Sequence, residues 1–266
     1  GEATVDIMGM AAADFPEMPT VGNGRSIIID GGVLSEMVKG TIFAAAQNEG
    51  AKPILTGINV TIDDGVMQFV AIDGYRLAIR KHKVNIPDNF SFTISGRAIG
   101  EAVKLISEET EKIEINVGER LISFNINGYE FISRLLEGEF VNYQKTIPAA
   151  HKQRVVVNTR ELTETIERVS LLISESFSTP VRCYFNELNA VFTCATSIGR
   201  ATETFNTRLE GENFEIGLNS RYLLEALRAA DSEQIQILFN GSNAGVLITA
   251  ADGGDFKYMI MPMRLR

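Results

Sequence analysis

The sequence predicts an α+β protein in which one antiparallel unit occurs twice. Three observations predict it. A strand, helix, strands order runs twice within residues 24–146 and twice again within 147–266. The two halves share a matching segment, Gly96-Arg-Ala-Ile-Gly-Glu-Ala-Val-Lys104 and Ser220-Arg-Tyr-Leu-Leu-Glu-Ala-Leu-Arg228, with Arg, Glu, Ala and a basic residue at the same offsets. The apolar runs are strand-sized and separated by turn signals such as Asp63-Asp64-Gly65, which favours hairpins over parallel crossovers. Each unit should therefore pack two helices on one face of antiparallel sheet.

Residues 3–10 read as a strand, and Ala11-Ala-Ala-Asp-Phe-Pro-Glu-Met-Pro19, with two prolines, reads as a linker. A lone strand without a nearby partner is expected to be the remnant of a preceding domain, which assigns 1–23 as remnant and linker. In the first unit a strand at 26–29 leads into a helix over 33–46, with Leu34, Met37, Val38, Ile42 and Ala45 on one face. Strands follow at 57–62, 66–72 and 76–83. After the turn Ile86-Pro-Asp-Asn89, a strand at 91–94 enters a helix over 97–106, and strands at 112–117, 121–126 and 129–136 close the unit. The second unit repeats this with a strand at 154–157, a helix over 159–172 and strands at 181–185, 190–196 and 201–207. A strand at 214–218, a helix over 220–230 and strands at 234–239 and 245–250 follow.

The chain closes on Tyr258-Met-Ile-Met-Pro-Met-Arg-Leu-Arg266. Pro262 cannot donate to a ladder, so the run is an edge strand or one that ends there. Methionine repacks around varied partners. Two readings stay open at this point, a core strand or one wall of a peptide groove.

Hydrophobic residues make up 45% and charged residues 22% of the 266, the balance of a globular protein. Runs such as Val66-Met-Gln-Phe-Val-Ala-Ile72 fall well short of the about 20 apolar residues of a membrane helix. The opening Gly1-Glu-Ala-Thr-Val-Asp6 has neither the basic region nor the apolar core of a secretion signal, so a cytoplasmic location is expected. Cys183 and Cys194 lie in strand-like runs and are expected as buried reduced thiols, a cross-strand disulfide being the alternative. The net charge of -9 argues against a general nucleic-acid binder, although basic residues can share one face of an acidic protein. The outward helix faces carry Lys39, Arg97, Lys104, Arg160, Arg168, Arg221 and Arg228. Glu36, Glu101, Glu161, Glu164, Glu167 and Glu225 lie among them, which by itself reads as a solvated mixed-charge surface.

Catalytic constellations are hard to find. His82 and His151 are the only histidines, and neither has a metal-ligand neighbour at a recognisable spacing. His82 sits between Lys81 and Lys83. Asp63-Asp64 reads as a turn, Glu108-Glu-Thr-Glu111 as an acidic loop, and no nucleophile elbow or phosphate-cradling loop occurs. No metal, no cofactor and no catalysis are expected; the rival reading is an enzyme with an unrecognised carboxylate site. The unusual segment is Ala71-Ile-Asp-Gly-Tyr-Arg-Leu-Ala78. A plain hairpin explains its Asp-Gly but not the aromatic, basic and apolar cluster beyond it, and Tyr and Arg are enriched at binding hot spots.

These pieces together resemble the bacterial sliding clamps, the beta subunit of DNA polymerase III. Ala71-Ile-Asp-Gly-Tyr-Arg-Leu-Ala78, Lys52-Pro-Ile-Leu-Thr-Gly57 and Tyr258-Met-Ile-Met-Pro-Met-Arg-Leu265 carry the resemblance, and the duplicated layout agrees with it. The resemblance implies tandem clamp domains, a middle one at 24–146 and a carboxyl-terminal one at 147–266. Sheets would lie outside and helices would line a DNA-facing surface. It implies a processivity factor in which two three-domain subunits close head to tail around duplex DNA, without base readout. Replicative and translesion polymerases, the clamp loader and repair proteins would dock short peptides between the two domains.

Carried over by position, the peptide pocket would use Gly74, Tyr75, Arg76 and Leu77 from one domain. Asn219, Tyr222, Met259, Ile260, Met261, Pro262, Met263, Arg264 and Leu265 would come from the other, with Tyr143 and Lys145 at the rim. Leu77, Ile260 and Met261 would line the apolar hole, Tyr222 and Met263 would gate or fill a second subsite, and Arg76 would hold the peptide's polar end. Lys52, Arg97, Lys104 and Arg221 would face DNA. The chain departs from the family pattern at Ile72, where Thr is usual, at Val141, Lys145 and Thr146, and in Arg266 after the usual final Leu. Without the first domain this chain is expected to be a monomer. A duplicated peptide-binding module that never touches DNA is the remaining alternative.

Overall fold

The computed structural model describes residues 1–22, 24–47, 50–173 and 179–265. The first unit begins with β1 (Arg25–Asp30) and α1 (Gly31–Lys39). Asp30 starts this helix by accepting from the Val33 N–H, which satisfies one of its unpaired first-turn donors. The helix stops at Lys39, seven residues before the expected 46. Thr41, fully buried, turns its hydroxyl back to donate to Met37 O at 2.8 Å and Val38 O at 3.3 Å, and the chain tightens into a 3-10 turn at Ile42–Ala44.

Next come β2 (Gly57–Asp63), β3 (Val66–Ile72), β4 (Arg76–Lys83), β5 (Phe90–Ser95), α2 (Gly96–Val103), β6 (Lys112–Val117), β7 (Leu121–Ile126) and β8 (Tyr129–Arg134). The second unit holds β9 (Gln153–Asn158), α3 (Thr159–Ser170), β10 (Val181–Phe185), β11 (Asn189–Thr196) and β12 (Gly199–Asn206). It continues with β13 (Leu209–Glu210), β14 (Phe214–Leu218), α4 (Ser220–Ala229), β15 (Gln234–Phe239), β16 (Val246–Ala250) and β17 (Phe256–Ile260). Asn158 and Asn219 cap α3 and α4 as Asp30 caps α1. The two-residue β13 was not foreseen, being too short to show a period.

One expected strand is absent. Residues 3–10 form no strand, because no strand of this chain lies beside them to complete a ladder. Ile7, Met8 and Met10 are almost wholly exposed there. The last strand ends at Ile260, one of the two readings of the terminal run, since Pro262 has no N–H to continue the ladder, and it is paired on both sides. Beyond it a single bridge joins Met263 to Gly217.

All pairings are antiparallel, in three sheets ordered β1-β6-β7-β8, β12-β11-β10-β14 and β13-β9-β15-β16-β17-β4-β3-β2-β5. The nine-stranded sheet crosses from one unit to the other where β17 pairs β4, with Met259 opposite Leu77 and Tyr258 opposite Ala78. The repeat is visible in the orders themselves. Strands β1-β6-β7-β8 correspond to β9-β15-β16-β17, and β5-β2-β3-β4 to β14-β10-β11-β12. Helices α1 and α2 pack together, as do α3 and α4, and their apolar stripes (Leu34, Met37, Ile99, Leu162, Ile166, Leu223) join the main core on one side of the sheets. A smaller core of Val70, Leu77, Ile79, Leu247 and Met259 lies on the opposite face of the nine-stranded sheet, at the junction.

Candidate binding groove and basic face

The junction is organised by the turn between β3 and β4. Gly74 has φ +92°, a left-handed conformation that glycine adopts without strain. Asp73 closes the turn by accepting from the N–H groups of Tyr75 (2.9 Å) and Arg76 (3.0 Å). The same carboxylate pairs with Arg76 Nε at 3.0 Å. Arg76 then crosses to the second unit, where Nη1 pairs with Glu225 of α4, and its guanidinium carbon lies 4.3 Å from the Tyr222 ring centroid. Phe43 flanks it on another side. Burial lowers the Arg76 pKa from its ordinary value, and Asp73 opposes that shift. The guanidinium is only 4% exposed. Arg76 therefore ties the two units together instead of standing free to hold a peptide's polar end. Of its anchors, the sequence offers Asp73 only as a turn residue and Glu225 only as a surface acid, and Phe43 carries no signal, because Glu225 and Phe43 lie far from Arg76 along the chain.

Period-two alternation corrects the apolar wall. Met259 and Leu77 face each other in the small core, whereas Ile260 points to the helix side and joins the main core. The outer wall consequently consists of Leu77, Met259 and Met261. Leu77 and Met259 are buried, but Met261 is 38% and Tyr75 62% exposed, so apolar surface is offered beside the turn. Met261 N–H donates to Tyr75 O at 2.8 Å and fixes these two residues together. Phe140, Tyr143 and Ile147 of the segment between the units cover the other side of the small core. Gln68 Nε2 donates to the Tyr143 hydroxyl at 2.6 Å, and burial raises that phenol's pKa.

The remaining groove residues divide by role. Pro262 and Met263 are half-buried, and Met263 N–H donates to Gly217 O at 2.8 Å. A side chain at Gly217 would come within 2.7 Å of Leu265 Cδ2, so glycine lets the terminal segment lie flat on β14. Asn219 serves as the α4 cap, accepting from Tyr222 N–H at 3.2 Å. Lys145 and Arg264 are exposed, Thr146 donates its hydroxyl to Tyr143 O, and Arg266 lies outside the described residues.

The basic residues fall into two places. Arg97 and Lys104 line a cleft of about 870 Å³ between α1 and α2, together with Lys39, and Lys52 precedes the Pro53–Thr56 turn at its edge. Arg221 instead shares a smaller hollow with Asp73, Tyr75, Arg76 and Tyr222 at the junction, and pairs with Glu225 at 3.0 Å. The four residues expected to face DNA thus divide between two hollows, one in each helix pair's neighbourhood. Among the described residues, no three His, Cys, Asp or Glu side chains gather as metal ligands would. No helix there is long and apolar enough to cross a membrane.

Residues 28–142 match the model of the DNA polymerase III beta subunit central domain, and 144–264 that of its C-terminal domain. The chain belongs to this sliding-clamp family. The beta sliding clamp of Bacillus subtilis is 29% identical over 269 residues, which is 99% of this chain and 71% of that protein. That of Halalkalibacterium halodurans is 30% identical with the same coverage. Among solved structures, the Bacillus subtilis sliding clamp superposes with a TM-score of 0.92 at 28% identity, covering 97% of this chain and 69% of that one. The Pseudomonas aeruginosa clamp bound to griselimycin superposes at 0.89 and 28% identity, covering 96% and 70%. Sliding clamps are non-catalytic processivity subunits of DNA replication, and the transferase activity is that of the polymerase complex they serve.

Proposed function

We propose that this chain forms the middle and carboxyl-terminal domains, 24–146 and 147–266, of a ring that encircles duplex DNA and docks partner peptides at the junction between them. One observation carries the ring. The junction is made by β17 of the second unit pairing β4 of the first. By the repeat, β8 is the first unit's counterpart of β17, β12 is the second unit's counterpart of β4, and both stand at sheet edges. The two open edges are therefore the complementary halves of the contact already made once. A heterologous contact repeated with constant rotation closes into a ring. The helix pairs lie on one side of these sheets, which would make them the lining of the hole.

The docking half rests on the small core at that junction. Leu77, Met259 and Met261 make an adaptable apolar wall, Tyr75 stands beside it, and Tyr143 and Lys145 border it. A peptide with Leu or Phe side chains would place them there. Polymerases, clamp loader and repair proteins are the proposed carriers of such peptides, and the cytoplasm is the proposed location. The ring is tested by loading the full-length protein onto closed circular duplex and then cutting the circle. An encircling clamp stays through a high-salt wash and slides off once the DNA is linear; release that is insensitive to cutting contradicts the ring.

A further inference from the structure

We infer that the grip on duplex DNA is one-sided: the helix pair of the first unit holds the phosphates through Lys39, Lys52 and Arg97, and the helix pair of the second is electrically muted. This rests on the encircling role proposed above and adds to it an asymmetry and a contact, Lys39, that sequence matching did not supply.

The asymmetry lies in the ion pairs. In the second unit each basic residue of the helix faces has a carboxylate. Arg160 pairs with Glu164 at 2.9 Å, Arg168 with Glu203 at 2.6 Å, Arg221 with Glu225 at 3.0 Å and Arg228 with Glu167 at 2.7 Å. Glu161 has no cation partner among the described residues, so this wall carries a residual negative charge. In the first unit Lys104 pairs with Glu101 at 2.8 Å. Lys39, Lys52 and Arg97 are exposed and have no carboxylate within pairing distance among the described residues. The acid that would have served Lys39 is Glu36, and Arg80 of β4 takes it from beneath.

The matched helix segments make the contrast direct. Arg221 occupies in the second unit the place of Arg97, yet Arg221 pairs with Glu225 at 3.0 Å whereas Arg97 makes no ion pair among the described residues and feels Glu101, already held by Lys104, only through space. Lys39 and Arg97 line one cleft beside the paired Lys104 and Glu101, and Lys52 stands at its edge, so the unpaired charges form a cluster. A cation already paired gives little net attraction to a phosphate, because it must release its carboxylate and leave that acid near the polyanion. A free lysine or arginine displaces only water and condensed counterions.

The test is fluorescence anisotropy of a short labelled duplex against this chain across a low-salt series. Two variants of equal charge change are compared, Lys39→Gln/Arg97→Gln and Arg160→Gln/Arg228→Gln, with thermal melts confirming that both fold. The first pair should weaken binding at least about fivefold and reduce the slope of log affinity on log salt by about 2. The second should change affinity less than twofold. Releasing the second wall with Glu164→Gln/Glu167→Gln should tighten binding. Equal losses in the two pairs, or no gain on release, overturn the one-sided grip and leave the clamp reading standing. Absence of salt-dependent duplex binding by the unsubstituted protein overturns the grip too and leaves the ring to the cut-circle test.

Discussion

Arg76 of the first unit lies over the ring of Tyr222 of the second, 4.3 Å from its centroid, while the same guanidinium pairs with Asp73 behind it and Glu225 beyond it. A side chain 4% exposed thus holds together the two surfaces between which a peptide would sit. Replacing it with alanine would leave Asp73, largely shielded, without its cation and Glu225 with Arg221 alone. Breaking one side of a buried pair costs about 3–5 kcal/mol. The partial exposure of Glu225 lowers that, so we expect Arg76→Ala to lose about 2–4 kcal/mol in urea unfolding. A loss below about 1 kcal/mol would match an exposed pair and contradict this role.

Tyr258 is wholly buried in the main core beside Phe256 and Phe43, and its hydroxyl donates to Ala229 O at 3.0 Å. Burial raises its pKa to about 12, above the ordinary 10.0. A raised folded pKa means that the stability from the neutral phenol is complete below pH ~10 and lost as pH rises towards ~12. The loss attributable to this residue should be about 3 kcal/mol over that window. Urea unfolding of Tyr258→Phe should show a flatter decline between those pH values than the unsubstituted protein; parallel curves would refute the assignment.

Cys183 and Cys194 are buried and unbridged on neighbouring strands of the second unit, and burial pushes both thiols upward in pKa. A protonated, enclosed thiol is a poor nucleophile. Native protein should therefore react with a thiol reagent only as fast as it opens, and two equivalents should react at once in denaturant. Rapid native labelling would contradict this packing.

The open edges β8 and β12 could in principle pair between copies. At the existing junction the contact is apolar, with Leu77, Met259 and Tyr258 buried. Strand β12 instead presents Arg200, Thr202, Thr204 and Glu203, and β8 presents Glu130 and Arg134 as exposed residues. Edges of this polarity resist self-pairing. Light scattering should report a monomer; a stable dimer at micromolar concentration would show that the two edges suffice without a further unit.

What could be read in the chain followed from local rules. The apolar stripe of Leu34, Met37 and Val38, the turns at Asp63-Asp64-Gly65 and Asp73-Gly74 and the repeated Arg, Glu, Ala pattern are all local signals, and they place the helices and most strands. What failed depended on distant partners. The apolar run at residues 3–10 has the pattern of a strand, but pattern cannot supply a neighbour. Arg76 has the composition of a binding residue, and only the fold brings Glu225 to it. Ile260 was grouped with Leu77 by its place in the terminal run, although alternation sends it to the opposite face from Met259. Two of the second unit's arginines likewise depend on acids far away in sequence, Arg168 on Glu203 and Arg228 on Glu167.

The central claim is that the junction between the units is a peptide-docking groove built from the Tyr75 turn and the terminal segment. Calorimetric titration of a Gln-Leu-x-Leu-Phe peptide tests it most directly, using the unsubstituted chain and a variant combining Tyr75→Ala with removal of residues 263–266. Tyr75 is largely exposed, so its replacement leaves the core intact. The account predicts saturable one-to-one binding that weakens at least about tenfold, or 1.4 kcal/mol, in the variant. Equal affinity in both proteins would contradict it.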